Sequence, residues 1–302
     1  MRELVILSGK GGTGKTSVAA SLAFLARPVT MADCDVDAPD LALVVRPEPS
    51  EPHDFRAGWL AVMSEHICLR CGRCAELCRF DAISWQGAGG GRYVVDPLAC
   101  EGCGLCERVC TRNAISITSP LRGWWRRSTT ELGVLYHAEM DPGSENSGKL
   151  VALLRRQARD DTSGQTEWLI TDGPPGIGCA AIASVTGAAY VLFVAEPTPS
   201  SLHDLRRVAQ LVAGFGVPAA VVVNKWDLSP DGTEKIEAFA VAAGLRCAGR
   251  IPYDQAFAEA QIAGKSVVGL GDGPSARALE AVWRSIQEAV RSPEAPSLRV
   301  SQ

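Results

Sequence analysis

LVILSGKGGTGKTS, residues 4–17, is the stretch of this 302-residue chain that decides its fold. Four apolar residues run into a glycine-rich turn, and the turn opens a helical pattern at Lys15–Ala26. The turn matches G-x-x-x-x-G-K-[ST], in which glycines let backbone N–H groups surround phosphate oxygens while the helix N-terminus adds positive charge. Because the strand before the motif and the helix after it are the setting that the motif requires, the stretch predicts a phosphate-binding α/β domain.

The alternation of strands and helices continues away from this stretch. Runs rich in β-branched residues predict further strands, at 29–33, 168–172, 190–195 and 220–224. Amphipathic patterns predict helices between them, at 148–158, 201–213 and 233–243. Together they indicate an α/β, doubly wound, mostly parallel sheet of the P-loop NTPase type, with helices on both faces.

The cysteines mark a separate segment. Eight of the eleven lie between Cys68 and Cys110, and such clustering indicates a site rather than scattered buried thiols. The segment is also an internal repeat, because residues 59–84 align without gaps on residues 91–116. We expect a small α+β domain at 56–119, inserted into an α/β domain made of residues 1–55 and 120–302.

Each copy of the repeat carries the run C-x2-C-x2-C-x3-C that is typical of bacterial iron–sulfur proteins. In such runs three closely spaced thiolates hold one [4Fe–4S] cluster, and the fourth cysteine ligates the other cluster. This rule assigns the first cluster to Cys68, Cys71, Cys74 and Cys110. It assigns the second to Cys100, Cys103, Cys106 and Cys78. Zinc is the alternative, although zinc sites usually pair two C-x2-C knuckles.

Charge and hydropathy argue against several functional classes. The formal net charge is −4 and the pI is about 5.7, so there is no global basic field to hold nucleic acid. The longest apolar runs, such as 188–195, are too short to cross a bilayer, and the N-terminus lacks a signal-peptide cleavage pattern. We expect a cytoplasmic protein that binds no nucleic acid and has no stable membrane anchor.

The glycine-rich turn gives its residues roles in nucleotide binding. Lys15 is expected to reach the β- and γ-phosphates, and Thr16 to offer its hydroxyl to Mg²⁺. The other expected nucleotide contacts are Gly11, Gly12, Thr13, Gly14 and Ser17. With Lys10, the form K-G-G-x-G-K-T resembles the deviant phosphate loop of the MinD/ParA ATPases. That resemblance implies a homodimer that sandwiches its nucleotides, in which Lys10 stabilises charge on the partner's phosphates.

Aspartates at the ends of two strands also resemble this family. The resemblance implies that Asp35 activates the attacking water and that Asp33 lies near the Mg²⁺ shell. It implies that Asp172 is the Walker B carboxylate, which holds a magnesium-bound water.

The base is expected near a later strand. The resemblance implies that Asn224 reads the base with its amide and that Pro252 stacks on it. The string N-K-W-D at 224–227 also resembles the guanine-reading motif of GTPases. The deviant Lys10 favours the ATPase branch, so ATP is the expected nucleotide.

Almost the whole chain resembles MinD-superfamily ATPases that carry an inserted two-cluster ferredoxin domain. The resemblance implies ATP, Mg²⁺ and two [4Fe–4S] clusters as cofactors, a homodimer, and a redox or metallocofactor client protein. The main hypothesis is an ATPase whose dimer gates electron transfer or metal-cofactor handling. The alternatives are a positioning or scaffold ATPase with structural clusters, and an iron–sulfur assembly ATPase. Assembly ATPases carry a C-terminal C-x-x-C pair, which this sequence lacks.

Several local predictions lie outside these motifs. Asn146 or Ser147 is expected to cap the following helix. Residues 122–127 are expected to form a solvated loop or a docking patch for an acidic redox partner. The cysteines outside the cluster are expected to be buried small side chains, at Cys34, Cys179 and Cys247. Cys179, which follows the Walker B loop, is alternatively expected to face the dimer partner. Residues 292–302 are expected to be a frayed tail.

Overall fold

The computed structural model describes residues 1–161 and 166–291, so the tail expected at 292–302 lies outside the described residues. Its contacts divide the chain into two compact units. The first, the nucleotide unit, contains Met1–His53 and the described residues from Trp124 onward. The second, the cysteine unit, contains Asp54–Gly123 and all eight clustered cysteines.

The elements follow one another in three blocks. Before the cysteine motifs come β1 (Arg2–Ser8), α1 (Lys15–Ala26), β2 (Val29–Asp33), α2 (Leu41–Val45) and β3 (His53–Arg56). The repeat contains β4 (Leu60–Met63), α3 (Arg73–Glu76), β5 (Ile83–Gln86), β6 (Arg92–Val95), α4 (Leu105–Val109) and β7 (Ile115–Thr118). After it come β8 (Leu121–Thr130), β9 (Gly133–Met140), α5 (Ser147–Asp160), β10 (Trp168–Pro175), α6 (Cys179–Val185), β11 (Tyr190–Ala195), α7 (Pro199–Ala213), β12 (Ala219–Asn224), a 3-10 turn (Trp226–Leu228), α8 (Pro230–Ala242), β13 (Arg246–Ile251), α9 (Ala256–Ala263), α10 (Val267–Leu270) and α11 (Pro274–Arg291).

One sheet of nine strands organises the nucleotide unit. Its order is β13-β12-β11-β1-β10-β2-β9-β8-β3, and the pairs from β13 to β9 are all parallel. The strand order reverses around β1, which pairs with β10 on one side and β11 on the other. Ligands bind at the carboxyl end of such a reversal, because the connections leave the sheet there in opposite directions. The expected mostly parallel P-loop NTPase sheet is confirmed.

Helices cover both faces of this sheet. Successive strand residues point to opposite faces, so Leu4 and Ile6 pack with α1 and α11 in one apolar layer. Val5 and Leu7 pack with α7 and α8 in the other. Burial on both faces explains why these strands are continuous apolar runs rather than alternating patterns.

The sheet extends further than the sequence pattern predicted. The segment 122–127 was expected to form a solvated loop or a docking patch. It lies within β8, which a two-residue turn joins to β9, so the loop expectation is wrong and the docking role stays a prediction. The Trp125 ring stacks on His53, with ring centroids 4.3 Å apart, and on Tyr136 at 6.4 Å. Arginines and a glycine interrupt the alternation of β8, so the strand is visible only through its pairing and its aromatic contacts.

The internal repeat is visible in the cysteine unit. β6 and β7 lie 32 positions after β4 and β5, as Cys100 lies 32 positions after Cys68. Each copy is therefore strand–helix–strand, and antiparallel pairing joins the copies as β4–β7 and β5–β6. α3 and α4 each begin after a glycine with positive φ, at Gly72 (80°) and Gly104 (76°).

Across both units, the helices of the described ranges are too short or too polar to cross a membrane.

Candidate functional site

The phosphate loop lies between β1 and α1 at the carboxyl end of the sheet. Its backbone has φ values of 81° at Gly12 and 87° at Gly14, which side-chain-bearing residues rarely adopt. A side chain at Gly14 would collide with the amide of Asn224, whereas one at Gly11 would meet no atom within 4 Å. The loop is therefore packed on its inner side and open on the side where phosphate would bind.

A cavity of about 600 Å³ opens over this loop, a volume typical of small-molecule sites. The loop residues expected to contact nucleotide all line it, namely Gly11, Gly12, Thr13, Gly14, Lys15, Thr16 and Ser17. Asp35 also lines it, as do Ser147 and Cys179 from the starts of two later helices. Nucleotide therefore fits this cavity with its phosphates over the loop.

Lys15 is held by two carboxylates. Its Nζ lies 2.8 Å from Oδ1 of Asp172 and 3.6 Å from Oδ2 of Asp35. Burial lowers the pKa of Lys15, but these carboxylates and Asp33 outweigh that effect and raise the pKa above its ordinary value. The lysine is therefore a cation at neutral pH, and Asp172 is its nearest anionic partner.

Two aspartates lie side by side at the ends of adjacent strands. Asp33 of β2 pairs in register with Asp172 of β10, and both are fully buried. Asp33 accepts backbone N–H groups from Leu41 at 3.0 Å and Asp35 at 3.2 Å. Burial, followed by the charge of Asp172, raises the pKa of Asp33 well above its ordinary value. A cation beside this pair would offset the repulsion between the carboxylates.

Mg²⁺ fits this position. Oδ2 of Asp172 is buried and has no hydrogen-bond partner among the described residues. Thr16 lines the cavity over the phosphate loop, whereas Asp172 and Asp33 are not among its lining residues, so their roles toward Mg²⁺ stay predictions. No group of three or more His, Cys, Asp or Glu residues within 1–161 and 166–291 is arranged to hold an ion by itself. Mg²⁺ would therefore take its remaining ligands from phosphate and water, as it usually does. Thr16, Asp172 and Asp33 are the residues available to it.

Asp35 has the chemistry of a proton acceptor. Burial raises the pKa of its carboxyl above the ordinary value, although nearby Lys15 opposes that effect. A carboxylate with a raised pKa takes a proton from water more readily than an exposed aspartate does. Asp35 lines the cavity and its Oδ2 lies 3.6 Å from Nζ of Lys15, and its role toward the attacking water stays a prediction.

Lys10 is paired within its own chain. Its Nζ lies 2.6 Å from Oε1 of Glu196, just after β11, and it donates to the hydroxyl of Ser200 at 3.3 Å. Lys225 reaches the other oxygen of Glu196 at 3.3 Å and donates to the carbonyl of Gly12 at 3.2 Å. These two lysines lower the pKa of Glu196, although burial opposes them. Sequence reasoning missed Glu196 and Lys225, whose one signal is their position at the carboxyl ends of two parallel strands.

The residues expected to contact the base of the nucleotide are not placed in the cavity wall. The Asn224 amide donates to the carbonyl of Thr13 at 2.8 Å and thereby braces the phosphate loop. Asp227 accepts the backbone N–H of Tyr253 at 2.7 Å, which ties the N-K-W-D turn to the segment containing Pro252. Among the described residues that line the cavity, neither Asn224 nor Pro252 is present. Their roles toward the base stay predictions.

The eight cysteines divide between two cavities in the cysteine unit. One cavity is lined by Cys68, Cys71, Cys74 and Cys110. The other is lined by Cys78, Cys100, Cys103 and Cys106. Each cavity thus contains three thiols from one run and the fourth from the other run, and all eight are free thiols.

Backbone and burial shape these thiols. N–H groups point at two sulfurs, from Arg70 to Cys68 at 3.4 Å and from Ala114 to Cys110 at 3.2 Å. Such donors stabilise a thiolate. Burial raises the pKa of Cys74 and of Cys106, so a positive centre is needed to hold these two as thiolates near neutral pH. Iron–sulfur clusters fit this donor set.

Comparison with known proteins places the chain. Residues 4–267 match the family model of the CobQ/CobB/MinD/ParA nucleotide binding domain. The chain belongs to this family. The expected kinship with MinD/ParA-type P-loop ATPases is thereby confirmed, and the family supports nucleotide hydrolysis in general.

Individual relatives of this MinD/ParA-family chain differ in their names. The uncharacterized protein MJ0578 of Methanocaldococcus jannaschii is 34% identical over 226 residues, which are 74% of this chain and 78% of that protein. The iron-sulfur cluster carrier protein of Pyrococcus abyssi is 24% identical over 91% of this chain and 82% of that protein. The septum site-determining protein MinD of Pyrococcus horikoshii, complexed with Mg-ADP, superposes on this chain with a TM-score of 0.59 and 18% sequence identity. The superposition covers 96% of this chain and 97% of that chain, so the two share a fold.

Two local expectations for this MinD/ParA-family chain are wrong. Asn146 lies just before α5 in the left-handed region, with φ 79°, and among the described residues no side-chain hydrogen bond from Asn146 or Ser147 caps the helix. Cys179, the first residue of α6, and Cys247, in the edge strand β13, are exposed rather than buried, and the expectation that Cys179 faces a dimer partner stays a prediction. Cys34 is buried as expected, and burial raises the pKa of its thiol well above the ordinary value.

Proposed function

We propose that this MinD/ParA-family chain is a Mg²⁺-dependent, homodimeric ATPase whose nucleotide state gates electron transfer through two [4Fe–4S] clusters in the cysteine unit. The observation that carries the proposal is the division of the eight cysteines between two cavities, with the fourth cysteine of each run exchanged. Paired cuboidal clusters use this exchange. Two separate zinc knuckles would not require it.

The nucleotide half of the proposal rests on Lys15. Phosphates entering the cavity would compete with Asp172 for the lysine, whose Nζ is 2.8 Å from Oδ1 of that carboxylate. Once Lys15 binds phosphate, Asp172 is free to hold a magnesium-bound water beside Thr16. Bound Mg²⁺ would neutralise charge that develops on the phosphate oxygens. Asp35 would orient the attacking water and accept its proton.

Coupling between the two sites follows from chain order. The cysteine unit is inserted between Asp35 and Asp172, the two residues that pair with Lys15. When nucleotide takes Lys15, Asp35 before the insert and Asp172 after it would therefore both lose their contact with that lysine. Each bound cluster would supply a one-electron redox centre. In the dimer, Lys10 would leave Glu196 and reach the phosphates of the partner.

A second candidate is iron–sulfur cluster delivery. It is favoured by the relative from Pyrococcus abyssi, whose name is iron-sulfur cluster carrier protein. Under this function at least one cluster would leave the chain for an acceptor protein, whereas a gated redox protein would retain both.

The decisive experiment is an anaerobic redox titration followed by EPR, with and without Mg·ATP. The protein is first reconstituted with iron and sulfide, and its cluster content is measured. Wild type is compared with Lys15→Ala and with the control Lys235→Ala, which removes an exposed lysine of α8. We expect Mg·ATP to shift a midpoint potential or the EPR spectrum in wild type and in the control, and to do neither in Lys15→Ala.

Two outcomes would reject the gated redox function. Identical titrations with and without nucleotide in wild type would mean that the sites are not coupled. Transfer of a cluster to an apo-ferredoxin acceptor, with its loss from this chain, would favour delivery instead.

A further inference from the structure

The two cysteine cavities are related by the internal repeat, and this makes each a control for the other. A residue that lines one cavity corresponds, in the other copy of the repeat, to the residue 32 positions away, which has the equivalent place in the wall of the other cavity. We call the cavity of Cys68, Cys71, Cys74 and Cys110 the first site, and the cavity of Cys78, Cys100, Cys103 and Cys106 the second site.

The equivalent walls differ in charge and polarity. Arg73 and Arg112 line the first site. Leu105 and Phe80 line the second site at the matching positions. The first site therefore has two guanidinium groups where the second has apolar side chains.

Two further pairs point in the same direction. Tyr93 lines the first site, with its hydroxyl so close to Gly72 that an added Cβ there would lie 2.6 Å from it. The matching wall of the second site is Ala61. Glu101 lines the second site, where Leu69 is the matching residue in the first. All four differences make the first site the better environment for negative charge.

Reduction of a cluster adds one negative charge. Nearby cations and hydrogen-bond donors stabilise the reduced form and raise the reduction potential, whereas apolar walls and a carboxylate lower it. Arg73 and Arg112 are exposed, so water screens part of their effect. Arg79, whose guanidinium lies 6.0 Å from the Phe80 ring, is not among the residues lining the second site.

We propose that Arg73, Arg112 and Tyr93 give the cluster in the first site the higher reduction potential. At equilibrium, an electron that enters the cysteine unit would then reside mainly on that cluster. The proposal depends on the two-cluster function above. It adds a direction to electron flow and names the residues that set it. The second site, with its apolar walls and Glu101, is then the low-potential cluster.

The test exchanges the walls of the two sites. Anaerobically reconstituted protein is titrated with dithionite through redox mediators, and the two midpoint potentials are followed by EPR. The first variant, Arg73→Leu with Arg112→Phe, places the side chains of the second site in the first. The reciprocal variant is Leu105→Arg with Phe80→Arg. The control, Arg92→Leu, removes an exposed arginine of the same unit that pairs with Glu65 at 2.6 Å.

We expect two separate midpoints in wild type. The first variant should shift the higher midpoint downward and leave the lower one in place. The reciprocal variant should shift the lower midpoint upward, and the control should move neither. The reciprocal variant keeps the test valid if the first variant binds clusters poorly.

The proposal is overturned if wild type has one common midpoint, or if the first variant moves the lower midpoint instead of the higher. Failure of the underlying function is a different result. In that case iron and sulfide analysis would not find two clusters per chain, and no pair of midpoints would exist to compare.

Discussion

The nucleotide unit and the cysteine unit are stabilised in different ways. The nucleotide unit buries whole strands of its nine-stranded sheet between two apolar layers. The buried apolar side chains of the cysteine unit are few and mostly small, namely Phe55, Ala57, Ala61, Ala82, Ile83, Ala114 and Ile115. Apolar burial contributes about 25 cal/mol per Å², so the nucleotide unit folds through its own core. The apolar core of the cysteine unit is small, and we expect the proposed clusters to act as its cross-links.

The same difference applies to charged groups. In the nucleotide unit buried charges are paired within the protein, as Lys15 is with Asp172 at 2.8 Å and Arg155 with Glu3 at 2.7 Å. In the cysteine unit the reactive groups are thiols that line cavities. We therefore expect the nucleotide unit to fold without its ligand and the cysteine unit to depend on the proposed clusters.

Removal of the clusters should have the largest effect of the changes considered. Treating anaerobic protein with an iron chelator removes the cross-links, and we expect peptides from 54–123 to lose amide exchange protection almost completely, because coordination supplies most of their folding free energy. Peptides from β1, β10 and β11 should keep their protection. Hydrogen exchange followed by mass spectrometry measures both. If both units lost protection together, or if 54–123 stayed protected after chelation, the conclusion that the two units are stabilised in different ways would be contradicted.

Mild acid should weaken the nucleotide unit by a smaller amount. His137 bonds Ser128 at 3.0 Å, and burial, with a further effect of Arg126, lowers the pKa of its ring to about 4. An unfolded histidine has a pKa of about 6.5, so the unfolded chain binds the proton first. Stability is then lost as pH falls from about 6.5 to about 4, by about 2 kcal/mol once partial solvent screening is allowed for.

Urea unfolding at several pH values checks this effect. His137→Gln should remove this part of the pH dependence, while the control His66→Gln, at an exposed residue of the cysteine unit, should retain it. An unchanged slope for His137→Gln would show that the histidine is not the group responsible.

Glu196→Gln should have the smallest effect, on the dimer rather than on the fold. The carboxylate pairs with Lys10 at 2.6 Å, and in the proposed dimer this pair would have to break before the lysine reached the partner subunit. Its loss should tighten ATP-dependent dimerisation a few-fold, which corresponds to about 1 kcal/mol for a partly exposed pair. Analytical ultracentrifugation with Mg·ATP measures the change. Glu237→Gln, which breaks the pair with Arg250 at 2.7 Å, is the matched control, and weaker dimerisation of Glu196→Gln than of this control would contradict the expectation.

Local patterns in the sequence were sufficient to predict the phosphate loop, most strands of the parallel sheet and the two cysteine runs. α1, β2 and β11 have the predicted boundaries. These features are predictable because their signals lie within a few neighbouring residues: glycines at a turn, an apolar run of strand length, and cysteines at a fixed spacing.

Tertiary structure alone decided the contacts between distant segments. It paired β8 with β9 despite the interrupted alternation, placed Asp33 beside Asp172, and joined Lys10 to Glu196. It also brought Arg73 and Arg112 to the same cavity. Such contacts join residues far apart in the chain, and no local periodicity encodes them. The sequence by itself thus determined the local elements and motifs. Strand order and packing determine which side chains meet, so only the folded chain decided how the charged side chains are paired.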